Sequence, residues 1–223
     1  MKIILFGASG MVGQGVLREC LLDDDVTEVL CVCRSALSQT HPKLRVVLHT
    51  DFTDFSAIKA QWATSYHAFL FCVGVSSAGM SESEYHRKTY DYTMAAAKAL
   101  AEVSPGMALV YVSGTGADSS EKGPIMWARI KGKTENALLA LPLNTTIFRP
   151  AYIQPLHGIR SRTRLYNMTY ALMGPLLPLW KLVMPKYVTT TEDVGRAMLN
   201  VAREGAPKKI MESADIAALA KAQ

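Results

Sequence analysis

The chain has 223 residues, of which 49% are hydrophobic and 19% charged, a balance typical of one globular domain with a substantial core. The net charge of +5 comes without a dense block of lysine and arginine, which argues against nucleic-acid binding and favours a small anionic ligand. The four cysteines lie in apolar segments and are interpreted as core thiols. No metal site is therefore predicted, and a reducing, cytoplasmic compartment is expected.

Short apolar runs rich in β-branched residues alternate with helical patterns along the first two thirds of the chain. Strands are predicted at 2–6, 26–33, 44–49, 67–73, 108–113 and 145–148, and helices at 12–22, 54–62, 82–103 and 127–141. Near-continuous apolar strands are typical of a parallel sheet covered by helices on both faces. The alternation predicts a Rossmann-like, doubly wound α/β fold, with residues 1–223 forming a single domain.

The rhythm changes after Pro150. Two more helices are predicted, at 191–204 and from Ser213. The tail after Pro150 is expected to be too helical to extend the sheet, and its residues 151–190 are expected to form a cap over the carboxyl ends of the strands, where ligands bind in such folds.

One uncharged run within this cap, residues 165–180, is 16 residues long and contains a glycine and two prolines. It is too short and too broken to cross a bilayer, so no transmembrane segment is expected. The wider segment 160–187 is instead a candidate lining for a pocket or a candidate homodimer interface.

A glycine-rich turn follows the first predicted strand directly and opens the first predicted helix. In such a turn, Gly7 permits the tight reversal, Gly10 lets the backbone approach a pyrophosphate, and Gly13 allows close packing of helix on strand. The helix N-terminus at Met11 and Val12 offers N–H groups and a positive dipole end to the phosphates. The strand–turn–helix context favours a dinucleotide site over a purely structural turn.

The second predicted strand ends without the carboxylate that an NAD site usually uses to bind the ribose 2′-hydroxyl. Arg34 comes just after that strand, and its planar guanidinium suits a 2′-phosphate. Ser9 offers a further hydroxyl in the turn. NADP(H) is therefore the predicted cofactor; the alternative is that Arg34 is simply a solvated loop residue.

Two further stretches complete the predicted cofactor site. Asp51 and Phe52 follow the third strand and are expected near the adenine, although Asp51 is equally suited to capping the next helix. Val73 and Gly74 follow the fourth strand and are expected to pass close to a cofactor ribose.

Five stretches carry a resemblance that covers almost the whole chain in order. They are "GASGMVG" (7–13), "YVSGTGAD" (111–118), "ARIKGKTE" (128–135), "FRPAYIQP" (148–155) and "VTTTEDVGRAML" (188–199). The chain resembles the atypical short-chain dehydrogenases/reductases, in the NAD(P)-binding, Tat-interacting-protein-like group. The resemblance implies that Ser113 orients a substrate carbonyl, that Lys131 holds the nicotinamide ribose, and that Pro150 and Ile153 buttress the nicotinamide.

The family's proton-donating tyrosine is absent, because its position is occupied by Trp127. An indole N–H donates a hydrogen bond but does not exchange a proton near neutral pH, and losing a general acid removes about two to four orders of magnitude of rate. Tyr152 is the first candidate substitute and Tyr111 the second, while an acceptor such as a quinone can take its proton from water.

Basic residues near the expected substrate entrance are weaker candidates. His157 is the histidine nearest to it, and Arg160, Arg162 and Arg164 form an alternating run that is more typical of a solvated segment than of an anion site.

The favoured function is that of an NADP(H)-dependent oxidoreductase acting on an unknown small molecule. The alternative is a catalytically inactive, NADP(H)-sensing regulatory protein, which the tryptophan substitution favours. A sugar-nucleotide epimerase is the third alternative, and the absent tyrosine argues against it.

Overall fold

The structure, a computed structural model, describes residues 1–62, 66–160 and 187–222. Its strands there are β1 (Lys2–Phe6), β2 (Glu28–Cys33), β3 (Leu44–Leu48), β4 (Ala68–Phe71), β5 (Ala108–Val112), β6 (Asn144–Arg149), β7 (Tyr152–Gln154), β8 (Val188–Thr190) and β9 (Ile210–Glu212). The α-helices are α1 (Met11–Leu22), α2 (Glu82–His86), α3 (Tyr92–Val103), α4 (Met126–Leu139), α5 (Thr191–Glu204) and α6 (Ser213–Leu219). A 3₁₀ turn lies at Lys59–Trp62, and a π-helical turn at Arg87–Asp91 joins α2 to α3.

Seven of these strands form one parallel sheet in the order β3-β2-β1-β4-β5-β6-β9, and β7 pairs with β8 in a separate parallel ribbon. The strand order reverses between β1 and β4. In open α/β sheets, ligands bind in the crevice outside the carboxyl ends of the strands at such a reversal. The predicted Rossmann-like fold is confirmed, and the glycine-rich turn lies at this crevice.

The two faces of the sheet are covered by layers of different chemistry. One layer is largely aliphatic and includes Val16 of α1 and Val194 of α5. The other is aromatic, and in it the Phe6 ring lies 5.8 Å from Trp62 and 4.9 Å from Phe69, centroid to centroid. Strands β1, β2 and β4 are apolar on both faces because both faces are buried, whereas the edge strand β3 is half exposed.

The prediction that the tail is too helical to extend the sheet is wrong. Strand β9 pairs in parallel with β6, with Ile210 opposite Ile147 and Glu212 opposite Arg149. A three-residue strand is too short to produce a recognisable periodicity, because the pattern needs about four to eight residues. The described ends of the expected cap are also strands, β7 and β8, and residues 161–186 lie outside the described part of the chain.

The predicted helix at 54–62 is wrong except for its last turn. The Asp51 carboxylate accepts a hydrogen bond from the Thr53 amide at 2.9 Å, and the Asp54 carboxylate accepts one from the Ser56 amide at 2.8 Å. Such local side-chain bonds offer the backbone an alternative to helix, and here they favour turns.

No helix within residues 1–62, 66–160 and 187–222 is long and apolar enough to cross a membrane. The uncharged run 165–180 lies outside those ranges, and so does nearly all of the segment 160–187 that was considered as a homodimer interface.

Helix α4 packs unusually closely on the loop that follows β5. A Cβ atom on Gly132 would overlap the carbonyl oxygen of Asp118. The Asp118 amide in turn donates a hydrogen bond of 2.9 Å to the carbonyl of Ala128. The absence of a side chain at position 132 therefore holds the loop against the helix.

Replacement of Gly132 by alanine is expected to destabilise the fold. Alanine improves helix propensity by about 1 kcal/mol, but the overlap with backbone forces the helix and loop apart, at a cost of about 1–3 kcal/mol or more. Urea unfolding of Gly132→Ala should therefore show a lower free energy of unfolding than the native chain. Lys133→Ala, at the exposed neighbouring position, is the control, and equal stabilities of all three proteins would contradict the packing argument.

Candidate functional site

A cavity of about 210 Å³ lies at the carboxyl edge of the sheet, where the strand order reverses. It is lined by the glycine turn, the ends of β2 and β4, and residues of the π-helical turn and α3: Gly7, Ser9, Gly10, Val32, Cys33, Arg34, Ser35, Phe52, Cys72, Val73, Gly74, Val75, Lys88 and Tyr92. Seven of the residues predicted to bind a cofactor are among them: Gly7, Ser9, Gly10, Arg34, Phe52, Val73 and Gly74.

The glycine turn is shaped by backbone contacts that exclude side chains. Gly7 has a φ of +86°, and a Cβ there would lie 2.6 Å from the Cys72 carbonyl carbon. A Cβ on Gly13 would overlap the Gly7 carbonyl oxygen, so Gly13 packs α1 on the turn rather than on the strand. Gly10 is the N-terminal cap of α1, so no capping side chain accepts a hydrogen bond from the N–H groups of the first turn. The first-turn N–H groups of α1 therefore have no side-chain cap at Gly10, and such groups are suited to an anion; Met11 and Val12, predicted to contact the cofactor, do not line the cavity.

Two cationic side chains line the cavity. The exposed Arg34 side chain lies at the end of β2 with its Cζ atom 5.9 Å from the centre of the Phe52 ring. Lys88 comes from the π-helical turn. No Asp or Glu occurs among the cavity-lining residues in the described part of the chain.

Lys88 and Tyr92 are residues that the sequence patterns did not identify. The Lys88 ammonium is paired with the Glu84 carboxylate at 2.6 Å, and the Tyr92 ring lies 6.0 Å from that of Phe52. The helix that carries them was predicted, but a uniform helical period does not reveal which side chains face the cavity after a π turn.

Asp51 does not line the cavity, and its carboxylate is engaged in a turn. Hydrogen bonds from the Thr53 hydroxyl and amide hold the pKa of Asp51 below its usual range. Of the remaining predicted contacts, Gly74 borders open space. The Pro150 carbonyl accepts the Thr115 amide at 3.0 Å, and Ile153 pairs with Thr189 in the β7–β8 ribbon.

A second group of predicted residues meets at the loop after β5, outside the cavity lining. The Lys131 Cε atom lies 4.0 Å from where a Cβ on Gly114 would be. The Trp127 indole lies 3.3 Å from the corresponding point on Gly116, whose φ is +87°. The structure therefore brings Trp127 and Lys131 of α4 together against the loop that begins at Ser113.

Lys131 occupies an unusual environment for a lysine. Burial lowers its pKa to about 8, and the nearby Glu135 carboxylate opposes that shift only in part. Its Nζ atom lies 5.9 Å from the centre of the Tyr111 ring. No hydrogen bond or ion pair joins Nζ to any residue within the described ranges.

A buried ion pair lies behind Ser113. Glu135, which has no exposed surface, accepts hydrogen bonds from the Ser113 hydroxyl and from the Arg149 guanidinium, whose Nε atom lies 3.1 Å from both carboxylate oxygens. This bonding raises the pKa of Arg149. Arg149 also donates to the Ser119 hydroxyl at 2.7 Å and lies 3.8 Å from the Glu212 carboxylate. The sequence patterns did not identify this pair, because it joins polar residues of α4 and β6 that only the tertiary fold brings together.

The two candidate substitutes for the missing tyrosine differ in position. Tyr111 lies inside the aromatic layer, 5.9 Å from the Phe71 ring, and burial raises its pKa well above the ordinary value. It is therefore a poor proton donor. The Tyr152 hydroxyl is only partly buried and donates to the amide oxygen of Gln154 at 2.6 Å.

The basic residues near the expected entrance are partly described. His157 has a φ of +55° and its Nε2 atom lies 2.7 Å from the Glu192 carboxylate, which holds the pKa of Glu192 below its usual range. Arg160 is exposed, whereas Arg162 and Arg164 lie outside the described residues.

Solved proteins with the same arrangement of strands are numerous. The WbmF enzyme of Bordetella bronchiseptica, in complex with NAD⁺, has a TM-score of 0.67 at 17% identity over 97% of this chain and 76% of its own. Gre2 of Candida albicans, in complex with NADPH, has a TM-score of 0.68 at 15% identity over 95% of this chain and 77% of its own. A short-chain dehydrogenase family protein of Francisella tularensis has a TM-score of 0.63 at 12% identity over 92% of this chain and 91% of its own.

The chain shares the Rossmann-like α/β fold of these three proteins. The resemblance found in the sequence is thereby confirmed at the level of the fold. No family model matches the chain.

Two curated relatives have similar sequences. The mitochondrial protein FMP52 of Lodderomyces elongisporus is 23% identical over 181 residues, covering 77% of this chain and 73% of the relative. The mitochondrial protein FMP52-1 of Scheffersomyces stipitis is 26% identical over 155 residues, covering 69% and 67%. Because both are named as mitochondrial, the expectation of a cytoplasmic location is wrong. Free thiols and a moderate charge indicate a reducing environment but do not identify the compartment.

Removal of Arg149 is expected to destabilise the chain strongly, because it leaves the Glu135 carboxylate buried and unpaired. Breaking a buried ion pair from one side costs about 3–5 kcal/mol. Urea unfolding of Arg149→Ala should show that loss. Arg129→Ala, which removes a partly exposed pair with Glu82, should cost only about 0–1 kcal/mol. A similar small loss for both variants would contradict the role assigned to the buried pair.

Proposed function

We propose that this chain is an NADP(H)-dependent oxidoreductase that acts on a small molecule, with residues 1–223 forming one cofactor-binding domain whose segment 151–190 closes the substrate side. The observation that carries the proposal is the cavity at the strand-order reversal. An uncapped helix N-terminus and two cationic side chains border it, and its described lining residues include no carboxylate. Proteins of the same fold in complex with NAD⁺, NADH and NADPH support a nicotinamide dinucleotide.

The residues present fit such a cofactor. Gly10 leaves room for a pyrophosphate at the start of α1, since a Cβ there would approach only the Gly7 carbonyl, at 3.3 Å. Arg34 stands at the end of β2, where its fork of N–H donors suits a 2′-phosphate. The aromatic face of Phe52 lies beside it and offers an apolar surface to an adenine.

The group around Ser113 is assigned to the nicotinamide end. When bound, a nicotinamide supplies or accepts a hydride. Lys131, half-buried and carrying no carboxylate partner within the described residues, is suited to hold ribose hydroxyls there. The Ser113 hydroxyl already donates its proton to Glu135, so its lone pairs are what remain to orient a ligand.

A cofactor sensor is the second candidate function, and Trp127 is the observation that favours it. The indole packs against the Gly116 turn, where it fills space in place of a proton donor. A sensor binds NADP(H) tightly and turns nothing over. The segment 160–187 would then transmit occupancy to a partner or to a second copy of the chain.

The deciding experiment is titration of the purified protein with NADPH and with NADH, followed by oxidation of each bound nucleotide with panels of quinones and aldehydes. Binding of NADPH with turnover supports the oxidoreductase, and binding without turnover supports the sensor. Binding of neither nucleotide would overturn the proposal.

Arg34→Ala is expected to weaken NADPH binding while leaving NADH binding unchanged, because only NADPH carries the 2′-phosphate. Hydrogen bonds to charged groups contribute about 1.5–3 kcal/mol, which corresponds to a loss of roughly 10- to 150-fold. Fluorescence titration measures both affinities. The control is Arg45→Ala on the neighbouring strand β3, which removes the same charge from an exposed position that does not line the cavity. Equal losses for the two nucleotides would refute the assignment.

A further inference from the structure

Lys131 lies one helical turn before Glu135 on α4, at the spacing where lysine and glutamate usually pair. They do not pair here. Both oxygens of Glu135 are occupied by Arg149 from β6, and one also accepts the Ser113 hydroxyl. The ammonium of Lys131 is left without a hydrogen bond or ion pair to any residue in the described part of the chain.

The surroundings of Lys131 also differ from those of a solvated surface lysine. The side chain passes Gly114, with its Cε atom 4.0 Å from where a Cβ on that glycine would be, and its Nζ atom lies over the Tyr111 ring, 5.9 Å from its centre. Lys133, two positions later, has an exposed side chain. Its Nζ atom lies 3.3 Å from His86 Nε2 and 4.8 Å from the centre of the Tyr90 ring. The two lysines therefore form a matched pair for comparison.

We propose that Lys131 itself transfers the proton that the absent tyrosine would have transferred, and that Arg149 keeps it free for this role by holding Glu135. This inference rests on the proposed oxidoreductase function. Lys131 is the catalytic residue in it, and Arg149 is a positioning residue that acts through Glu135.

Reduction of a carbonyl group requires one hydride and one proton. During reduction, the substrate carbonyl carbon receives a hydride from the reduced nicotinamide. The carbonyl oxygen receives one proton from the Lys131 ammonium, so that an N–H bond breaks as an O–H bond forms. The neutral amine then takes a proton from water. In the oxidative direction the neutral amine would accept the hydroxyl proton while the hydride passed from the carbon to an oxidised nicotinamide.

The charges around Lys131 set the pH at which this transfer operates. Its own helix contributes Glu135, β5 contributes Tyr111, β6 contributes Arg149, and Glu212 of β9 lies behind Arg149. Burial lowers the pKa of Lys131 to about 8, against the attraction of Glu135. A lysine tuned to this range is an effective general acid or base near neutral pH.

Reduction and oxidation require opposite protonation states of Lys131, so their rates should change with pH in opposite directions. Below its pKa of about 8, Lys131 is an ammonium and able to donate, so the rate of carbonyl reduction should be flat there and fall as the pH rises above that value. Alcohol oxidation requires the neutral amine, so its rate should rise through the same range.

The first test is independent of turnover. Lysine side chains labelled with ¹³C and ¹⁵N are titrated by NMR in the native chain with and without NADPH, and Lys131→Arg identifies the Lys131 signal by its loss. The expected midpoint for Lys131 is about 8, and the other lysine signals serve as the internal comparison. A midpoint near the ordinary lysine value of about 10.4 would overturn the proposal.

The second test measures turnover and binding in the same variants. Lys131→Arg keeps the positive charge, but a guanidinium does not release its proton, so turnover should fall about 100- to 10,000-fold while NADPH binding is retained. Lys131→Ala should regain part of its activity when a small primary amine such as methylamine is added. Lys133→Arg, the matched control, should retain full activity.

The remaining outcomes separate this inference from the function it rests on. Turnover that is retained in Lys131→Arg would overturn the role of Lys131. Loss of turnover in Tyr152→Phe, with the titration of Lys131 unchanged, would do the same. Neither result would affect the proposed cofactor site. Tight NADPH binding without any turnover also overturns the role of Lys131 and leaves the cofactor site standing. Failure of the native chain to bind NADPH overturns the proposed function itself.

Discussion

A carboxylate with no exposed surface, Glu135, organises the chemistry at the carboxyl edge of this sheet. A buried charge is tolerated only when it is paired and hydrogen-bonded, and Arg149 and Ser113 meet that requirement from β6 and from the end of β5. Helix α4 is thereby tied to both strands. The orientation of the serine hydroxyl and the isolation of Lys131 both follow from this one ion pair, so the side chains available for chemistry depend on it.

The cofactor half of the site is built on a different principle. There the backbone does the shaping: Gly7 passes within van der Waals distance of the Cys72 carbonyl only because it lacks a side chain, and α1 opens towards the cavity without a cap. The charged side chains that line the cavity are both cations, Arg34 and Lys88. The parallel sheet brings the two halves to one edge because all its strands end there.

Much of this could be predicted from the sequence, and the exceptions have physical causes. The six long apolar strands and the glycine turn were predictable because each is encoded by its own local pattern. Strand β9 and the turns at 54–62 were not, since a three-residue strand carries no period and Asx turns compete with helix. The pairing of Glu135 with Arg149 is a tertiary contact between polar residues, and no periodicity encodes it. Half of the expected cofactor contacts line the cavity, whereas Lys131 and Ser113 belong to a separate cluster outside that lining.

The π-helical turn between α2 and α3 has a consequence for comparing sequences. The Tyr92 amide bonds to the Arg87 carbonyl five residues back, so this turn contains one residue more than a regular helical turn. Each extra residue rotates the following side chains by about 100° around the helix axis. A homologue lacking that residue would present a different set of side chains to the cavity from an otherwise identical sequence. Alignments through this helix must therefore place the gap between positions 87 and 91 before ligand contacts are transferred from one protein to another.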